Sequence, residues 1–379
     1  MFGHSGGDAF LRDVSRRLRN VTQGAYLARV GGDEFILISA EGPQPQTAAA
    51  LAHRLQAVVA NDLRIEEFRM SVGLSIGAAV FPADGTDATQ LLLNADAALY
   101  RAKAKGRGRV QFFESAMDKE LRDRRALLHD LRSAITDGQL VLHYQPQARI
   151  TGEIVGFEAL VRWNHPVRGL LPPGDFVPLA ETNDLIDAIG EWVLREACRE
   201  AATWRQPQKI AVNLSPIQFR DGRLTELVHQ VLLETGLRPH RLELEITESI
   251  LIDDFSRAVS TLRRLKLLGV GIAMDDFGTG YSSLSYLQSF PFDKIKIDKS
   301  FIRDVDRNPQ SAAIVRSVIG LARGLGVPVV AEGVETADQV AFLQLEGCQD
   351  VQGYFVGRPF PIAHYSEWTA AAEGQRSVA

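Results

Sequence analysis

Apolar positions recur along this chain with two different periods. Eight short runs are rich in strand-forming residues: "LVLHYQP", "VGFEALVRW", "IAVNLS", "LELEIT", "VGIAMDDF", "KIKIDK", "VPVVAEG" and "VQGYFVG". Between most of them apolar residues return at helical spacing, near Trp192 to Trp204, Leu224 to Leu233, Phe255 to Leu268, Ala312 to Leu325 and Ala337 to Leu345. Strand–helix alternation sustained over roughly 240 residues predicts a closed parallel α/β barrel, and strand number and length favour it over an open doubly wound sheet.

The first third of the chain has a different rhythm. "YLARVGGDEFILIS" reads as a β-hairpin, with Gly31-Gly32 as punctuation and Asp33 and Glu34 at its tip. A helix is expected through His53 and Val59, a strand in "FRMSVGLSIGAAVFP", and a long helix, a glycine turn and a last strand in "DATQLLLNADAALYRAKAKGRGRVQFFE". This is an α/β unit with an antiparallel sheet. From Glu114 to about Gly138, Met117, Leu121, Leu128, Leu131 and Ile135 recur near helical spacing amid dense charge, which suits a helix joining two domains or a solvated surface helix. The domains expected are 1–115, a helical linker 116–130, and 131–379. No internal repeat is visible.

Composition narrows the function classes. The chain has 379 residues, 45% hydrophobic and 23% charged, as in globular rather than disordered proteins. A net charge of -5 leaves no basic footprint for DNA, though a small nucleotide stays open. Two distant cysteines, Cys198 and Cys348, argue against a disulfide scaffold or zinc site and fit a reducing compartment. No apolar run reaches bilayer length, since Arg316 and Arg323 interrupt the best candidate, and no signal pattern opens the chain. A cytoplasmic location is expected, with room for a membrane-anchored longer parent.

Barrel strands are buried on both faces, so charge within them needs a reason. Period-two alternation gathers polar residues on one face near the C-terminal strand ends: Glu158 and Arg162, Asn213, Glu245, Asp275-Asp276, Lys296 and Asp298, Glu332 and Glu335. Those ends form the mouth of such a barrel. Any single acid there is more often a buried ion pair or a solvated group. Together, with only Lys296 and Arg162 as local cations, they repel one another unless divalent cations neutralise them. Oxygen donors suit Mg²⁺ or Mn²⁺ rather than zinc, and adjacent aspartates can serve two ions. Paired ions about 3.5–4 Å apart support phosphodiester hydrolysis, with Lys296 holding water or developing charge.

"FEALVRW", "NLS", "ELEITES", "MDDFGTGYSSLSYL", "IKIDKSFI", "AEGVET" and "QGYFVGRP" together resemble the ordered motif set of EAL-domain cyclic di-GMP phosphodiesterases. The resemblance runs from about Arg124 to the C-terminal tail. It implies a TIM-like (β/α)8 barrel that hydrolyses cyclic di-GMP to linear pGpG with two Mg²⁺ or Mn²⁺ ions. It implies one metal on Glu158, Asn213, Glu245 and Asp275, and a second on Asp275, Asp276 and Glu332. It further implies Lys296 at the catalytic water, Arg162 on a substrate phosphate, Gln352 and Glu335 at other active-site positions, and Glu248 as anchor of the loop "FGTGYSSL". A homodimer through the barrel follows by the same resemblance. A receptor that binds cyclic di-GMP without cleaving it is the rival reading, and the full acid set argues against it. An enolate-forming Mg²⁺ barrel is another rival, which would lack the second aspartate and a reason for Arg162.

"GHSGGD", "RVGGDEF" and "NADAALYRAKAKGRGRVQFF" resemble the later part of a GGDEF domain, the diguanylate cyclase fold. The implied unit is an incomplete α+β, nucleotidyl-cyclase-like domain preceding the barrel. Asp33 matches a metal ligand and Asp8 an acid that reads guanine, while the first-strand aspartate and the upstream asparagine fall before this chain begins. "TQGA" stands where an inhibitory Arg-x-x-Asp would lie. Asp8, Asp33 and Glu34 are therefore expected to be vestigial and without cyclase activity here, with GTP the candidate ligand of the remnant.

Overall fold

The computed structural model describes residues 3–22, 24–39, 42–60, 63–65, 68–70, 73–220, 222–248, 250, 254–278, 290 and 292–369. The chain divides into two units, Met1–Leu127 and Leu128–Ala379.

In the first unit, helix α1 (Gly3–Val21) is followed by the expected hairpin, β1 (Tyr26–Gly31) and β2 (Glu34–Ile38). The strands pair antiparallel from Tyr26 opposite Ile38 to Arg29 opposite Phe35, with a register shift before Gly31. Gly32 turns the tip at φ 47°, a left-handed conformation that glycine adopts without a Cβ clash. Helix α2 (Gln46–Ala60) packs Leu51, Leu55 and Val59 against Val14 and Leu18 of α1. Two short strands, β3 (Leu63–Ile65) and β4 (Phe68–Met70), pair antiparallel. The single strand expected in "FRMSVGLSIGAAVFP" is two, β4 and β5 (Ile76–Ala78). Helix α3 (Ala88–Ala104) then crosses over to β6 (Val110–Phe112), so β5 and β6 run parallel, where a wholly antiparallel sheet was expected. Asp87 caps α3 by accepting from the Gln90 N–H at 2.8 Å.

Helix α4 (Ser115–Ala134) covers the segment read as a linker or surface helix, and the boundary between the units falls inside it. The second unit continues with β7 (Leu140–Arg149), β8 (Ile154–His165), β9 (Gly169–Leu171), α5 (Pro173–Thr182), α6 (Ile186–Thr203), β10 (Lys209–Leu214), α7 (Leu224–Thr235) and β11 (Leu242–Thr247). It ends with α8 (Phe255–Leu267), β12 (Gly271–Phe277), β13 (Lys294–Ile297), α9 (Lys299–Ile302), α10 (Pro309–Leu325), β14 (Val329–Ala331), α11 (Ala337–Glu346) and β15 (Asp350–Gln352). Pairing of β10 with both β11 and β8 closes β7, β8 and β10 to β15 into an eight-stranded barrel, with β9 appended to β8.

One strand departs from the parallel expectation. β7 is antiparallel to both β8 and β15. Only a four-residue turn, Ile150 to Glu153, joins β7 to β8, which is too short for a crossover helix and makes a hairpin instead.

Along β11, Leu242, Leu244 and Ile246 alternate with Glu243 and Glu245, and all five are buried. Helices cover the outer face of the sheet; α6, whose buried stripe is Ile189, Val193, Leu194, Ala197 and Cys198, packs on β7, β8 and β10. Truncating a fully buried residue of β11 such as Leu244 to alanine costs about 2–5 kcal/mol. The charged set points into the barrel. Among the described residues, no helix is long and apolar enough to cross a membrane.

Candidate active site

The site begins with Lys296 on β13, which has no solvent exposure. Its Nζ lies 2.6 Å from Glu245 Oε2, 2.5 Å from Glu332 Oε1, 3.3 Å from Asp275 Oδ1 and 3.6 Å from Glu158 Oε2. Four strand ends thus converge on one ammonium. Burial alone would lower its pKa, but Glu158, Glu245, Glu332 and Asp275 outweigh that and hold it well above the usual lysine value.

One ammonium does not neutralise so many acids. Burial, opposed by Lys296 and reinforced by Asp275 and Glu158, pushes the Glu332 carboxyl up to about 8. Burial and the Asp275 charge push Asp276 up to about 6. Glu245 is raised well above the carboxylate range by burial and by Glu158. Glu158 goes the other way: burial opposes its ionisation, but Lys296 and hydrogen bonds from Gln352 and Asn213 lower its pKa. Asn213 Nδ2 donates to Glu158 Oε1 at 2.6 Å and Gln352 Nε2 to Glu158 Oε2 at 2.5 Å.

Asp275 and Asp276 are neighbours on β12, and in a regular strand their side chains would point to opposite faces. Here the pairing with β13 shifts register between Met274 and Phe277, and Asp276 adopts φ 52°. That local break, costly for a non-glycine residue, turns both carboxylates toward the mouth. Asp275, Asp276 and Glu332 each present an oxygen within 4.8 Å of the others. Three hard oxygen donors at that spacing, with an acid surplus around them, fit a divalent cation of the Mg²⁺ type.

The loop after β14 is held by sequence-local chemistry. Gln339, on the capping box of α11, accepts from the Glu335 N–H at 2.7 Å and donates to the carbonyls of Ile302 and Arg303. Gly333 has φ 68°, and a Cβ there would stand 2.5 Å from Lys299 Cβ, so only glycine lets the chain pass beside α9. This fixes Glu332 at the cluster. Glu335, three residues on, is exposed and is not one of the three acids that share the ligand spacing.

Arg162 lies two pleat positions beyond Glu158 on β8 and donates to the Val161 carbonyl at 2.8 Å. Burial lowers its pKa, against Glu158 and Tyr354. Glu248, just past β11, accepts from the Gly278 N–H at 2.9 Å. The rest of the loop it was expected to anchor, beyond Gly278, lies outside the described residues. Two participants were not assigned from sequence: Gln145 and Gln147 of β7 hydrogen-bond Gln352 at 3.2 and 3.0 Å. Asp298, placed at the mouth by alternation, hydrogen-bonds Asp276. The inward alternation of "LHYQPQ" carried the glutamines; nothing in one strand revealed their partners. Lys296 is the ammonium paired with the mouth acids among the described residues, as expected, and a second set of cations lies below it. Lys294 and Lys209 both pair with Glu243, one layer deeper in the barrel.

In the first unit, Asp33 and Glu34 are exposed at the hairpin tip, and Glu34 lies 3.7 Å from Lys103 Nζ. The Asp8 side chain lies outside the described residues. The only convergence of three or more potential metal ligands found among the described residues is the one in the barrel.

Comparison with known proteins agrees with the barrel fold. The EAL domain family model matches residues 128–359, and the diguanylate cyclase GGDEF domain model matches residues 1–109. The chain belongs to the EAL-domain family. An uncharacterised signalling protein of Caulobacter vibrioides is 55% identical over 98% of this chain and 46% of its own length. The bifunctional diguanylate cyclase/cyclic di-GMP phosphodiesterase MucR of Pseudomonas aeruginosa is 45% identical over 95% of this chain and 53% of its own. This chain therefore spans about half the length of those relatives. The solved MucR phosphodiesterase in complex with c-di-GMP superimposes on the EAL barrel with a TM-score of 0.62 and 47% identity, covering 63% of this chain and 99% of that one.

Proposed function

We propose that the EAL barrel of this chain hydrolyses cyclic di-GMP to linear pGpG. The observation that carries the reading is the convergence of Asp275, Asp276 and Glu332 beside an ammonium already shared by four carboxylates. A site with surplus buried acid and only oxygen donors is complete when cations bind. We assign one Mg²⁺ or Mn²⁺ to Glu158, Asn213, Glu245 and Asp275, and a second to Asp275, Asp276 and Glu332. Such a pair supplies an activated water and neutralises charge on the phosphoryl oxygens.

The chain's own residues do the rest. Lys296 holds the water and offsets charge as the P–O bond breaks. Arg162, at the mouth, takes a substrate phosphate through its planar fork of donors. Gln352 and Asn213 keep Glu158 oriented, Glu248 holds the loop after Asp276, and Glu335 acts from the rim. The MucR complex supports cyclic di-GMP as the ligand, and the full acid set supports hydrolysis over a receptor role. A cytoplasmic location, a homodimer through the barrel and GTP as ligand of the first unit belong to the same proposal. So does a lack of cyclase activity in the first unit, where Glu34 pairs with Lys103.

The test is chromatography of cyclic di-GMP incubated with the chain and Mg²⁺, beside a sample with excess chelator and a Glu158→Ala variant. Loss of the cyclic dinucleotide in the first sample alone is expected. Persistence in all three refutes the assignment.

A further inference from the structure

Beneath the acid cluster the barrel carries a second polar layer. Inward residues repeat every second position along a strand, so Glu243 lies below Glu245 and Lys294 below Lys296, with Asp350 below Gln352. Glu243 is 0% and Lys294 5% exposed, and the two form an ion pair. Lys209, half-exposed, reaches the other Glu243 oxygen at 3.3 Å. Burial opposes ionisation of Glu243, but Lys294 and Lys209 outweigh it and hold its pKa below the usual range. None of these groups touches the proposed metals.

Lys294 also acts on the charge of Asp350 in the same layer, and its further hydrogen-bond acceptor is Gln147 Oε1 at 3.5 Å. An ammonium only donates, so the amide oxygen of Gln147 must face it. The Gln147 NH₂ is then turned up toward Gln352 Oε1 at 3.0 Å and Glu245 Oε1 at 3.4 Å. With its oxygen occupied, Gln352 directs its own NH₂ to Glu158 Oε2 at 2.5 Å and Gln145 Oε1 at 3.2 Å. The donors run in one direction, from Lys294 through two buried amides to two carboxylates assigned to the first metal. A flipped Gln147 would set oxygen against oxygen at both upper contacts.

We propose that Lys294, held by Glu243, is a positioning residue that sets the amide polarity of Gln147 and Gln352 and thereby orients Glu158 and Glu245 for metal binding. This rests on the reading of the upper cluster as a metal site. Removing Lys294 leaves the Gln147 oxygen, deep in the barrel, without its donor, and the amide rotates in search of another. Groups that orient metal ligands from behind are worth about 10–100-fold in metal affinity, and the lower figure fits a relay of two amides.

The test uses the full chain and reads Mn²⁺ binding by titration calorimetry, with circular dichroism as the check on folding. Lys294→Met is made together with Glu243→Leu, so that neither member of this buried ion pair is left without the other. That pair variant and Gln147→Leu should each bind Mn²⁺ about 10-fold more weakly than the parent, and the combined variant no more weakly than either alone. Parent-like binding by the pair variant overturns the proposal, as does a combined loss equal to the product of the separate losses. Gln147→Leu keeps the test decisive should the pair variant not fold, because parent-like binding there breaks the relay at its middle link. A parent that binds no Mn²⁺ overturns both this proposal and the metal reading beneath it. Binding by the parent with no loss in the variants overturns this proposal alone.

Discussion

Glu248 accepts a hydrogen bond from the backbone N–H of Gly278 at 2.9 Å, two residues beyond Asp276. A carboxylate outside the acid cluster thus fixes the chain segment that delivers one of its members. Glu248→Ala should leave the first metal's ligands in place while Asp276 loses its support. Turnover should fall by about 10-fold or more, and raised Mg²⁺ should recover part of it, since a weakened site refills by mass action. Glu158→Ala, which removes a ligand, should not recover. Metal titrations of activity decide this; identical responses in the two variants contradict the division of roles.

Lys296 is the cation that lets four carboxylates share one buried space without metal. Lys296→Met should destabilise the metal-free protein by about 3–5 kcal/mol, the usual cost of breaking a buried ion pair from one side. Urea unfolding in the presence of chelator measures it. An unchanged midpoint would mean the acids are neutral without Lys296.

The pH dependence of the metal-free protein has a definite sign. Glu332, at about 8, and Asp276, at about 6, stand above their ordinary values of 4.5 and 3.8. The native state therefore keeps protons that the unfolded chain has already released. Stability is lost as pH rises from the ordinary values through the folded ones. Glu243 contributes oppositely, its support disappearing as pH falls below the ordinary range. The melting temperature with chelator should accordingly fall between pH 5 and pH 8, and Mg²⁺ should restore more of it at pH 8. A metal-free melting temperature that rises over this interval contradicts the raised carboxyl pKa values.

The barrel was legible because each of its strands carries its own local signal, and alternation such as that of "LELEIT" already separates Glu243 and Glu245 from the leucines. Two things were not legible. The antiparallel course of β7 depends on a four-residue turn whose consequence appears only when the sheet closes. The joint role of Asp275 and Asp276 was expected from their place at a strand end, but the register shift and positive φ that bring it about were not, since strict alternation would have separated the two. The deeper Lys294–Glu243 pair has the same origin. Each residue is visible on its strand, but their meeting depends on the pairing of β11 through β12 with β13.

Hydrolysis of cyclic di-GMP places an oxygen from water on the phosphodiester that is cleaved. Its most direct measurement is mass spectrometry of the product formed in ¹⁸O-labelled water with Mg²⁺ after one cleavage. Linear pGpG carrying a single ¹⁸O on its terminal phosphate is expected, absent when chelator is added. Intact cyclic di-GMP, or a linear product without label, would contradict it.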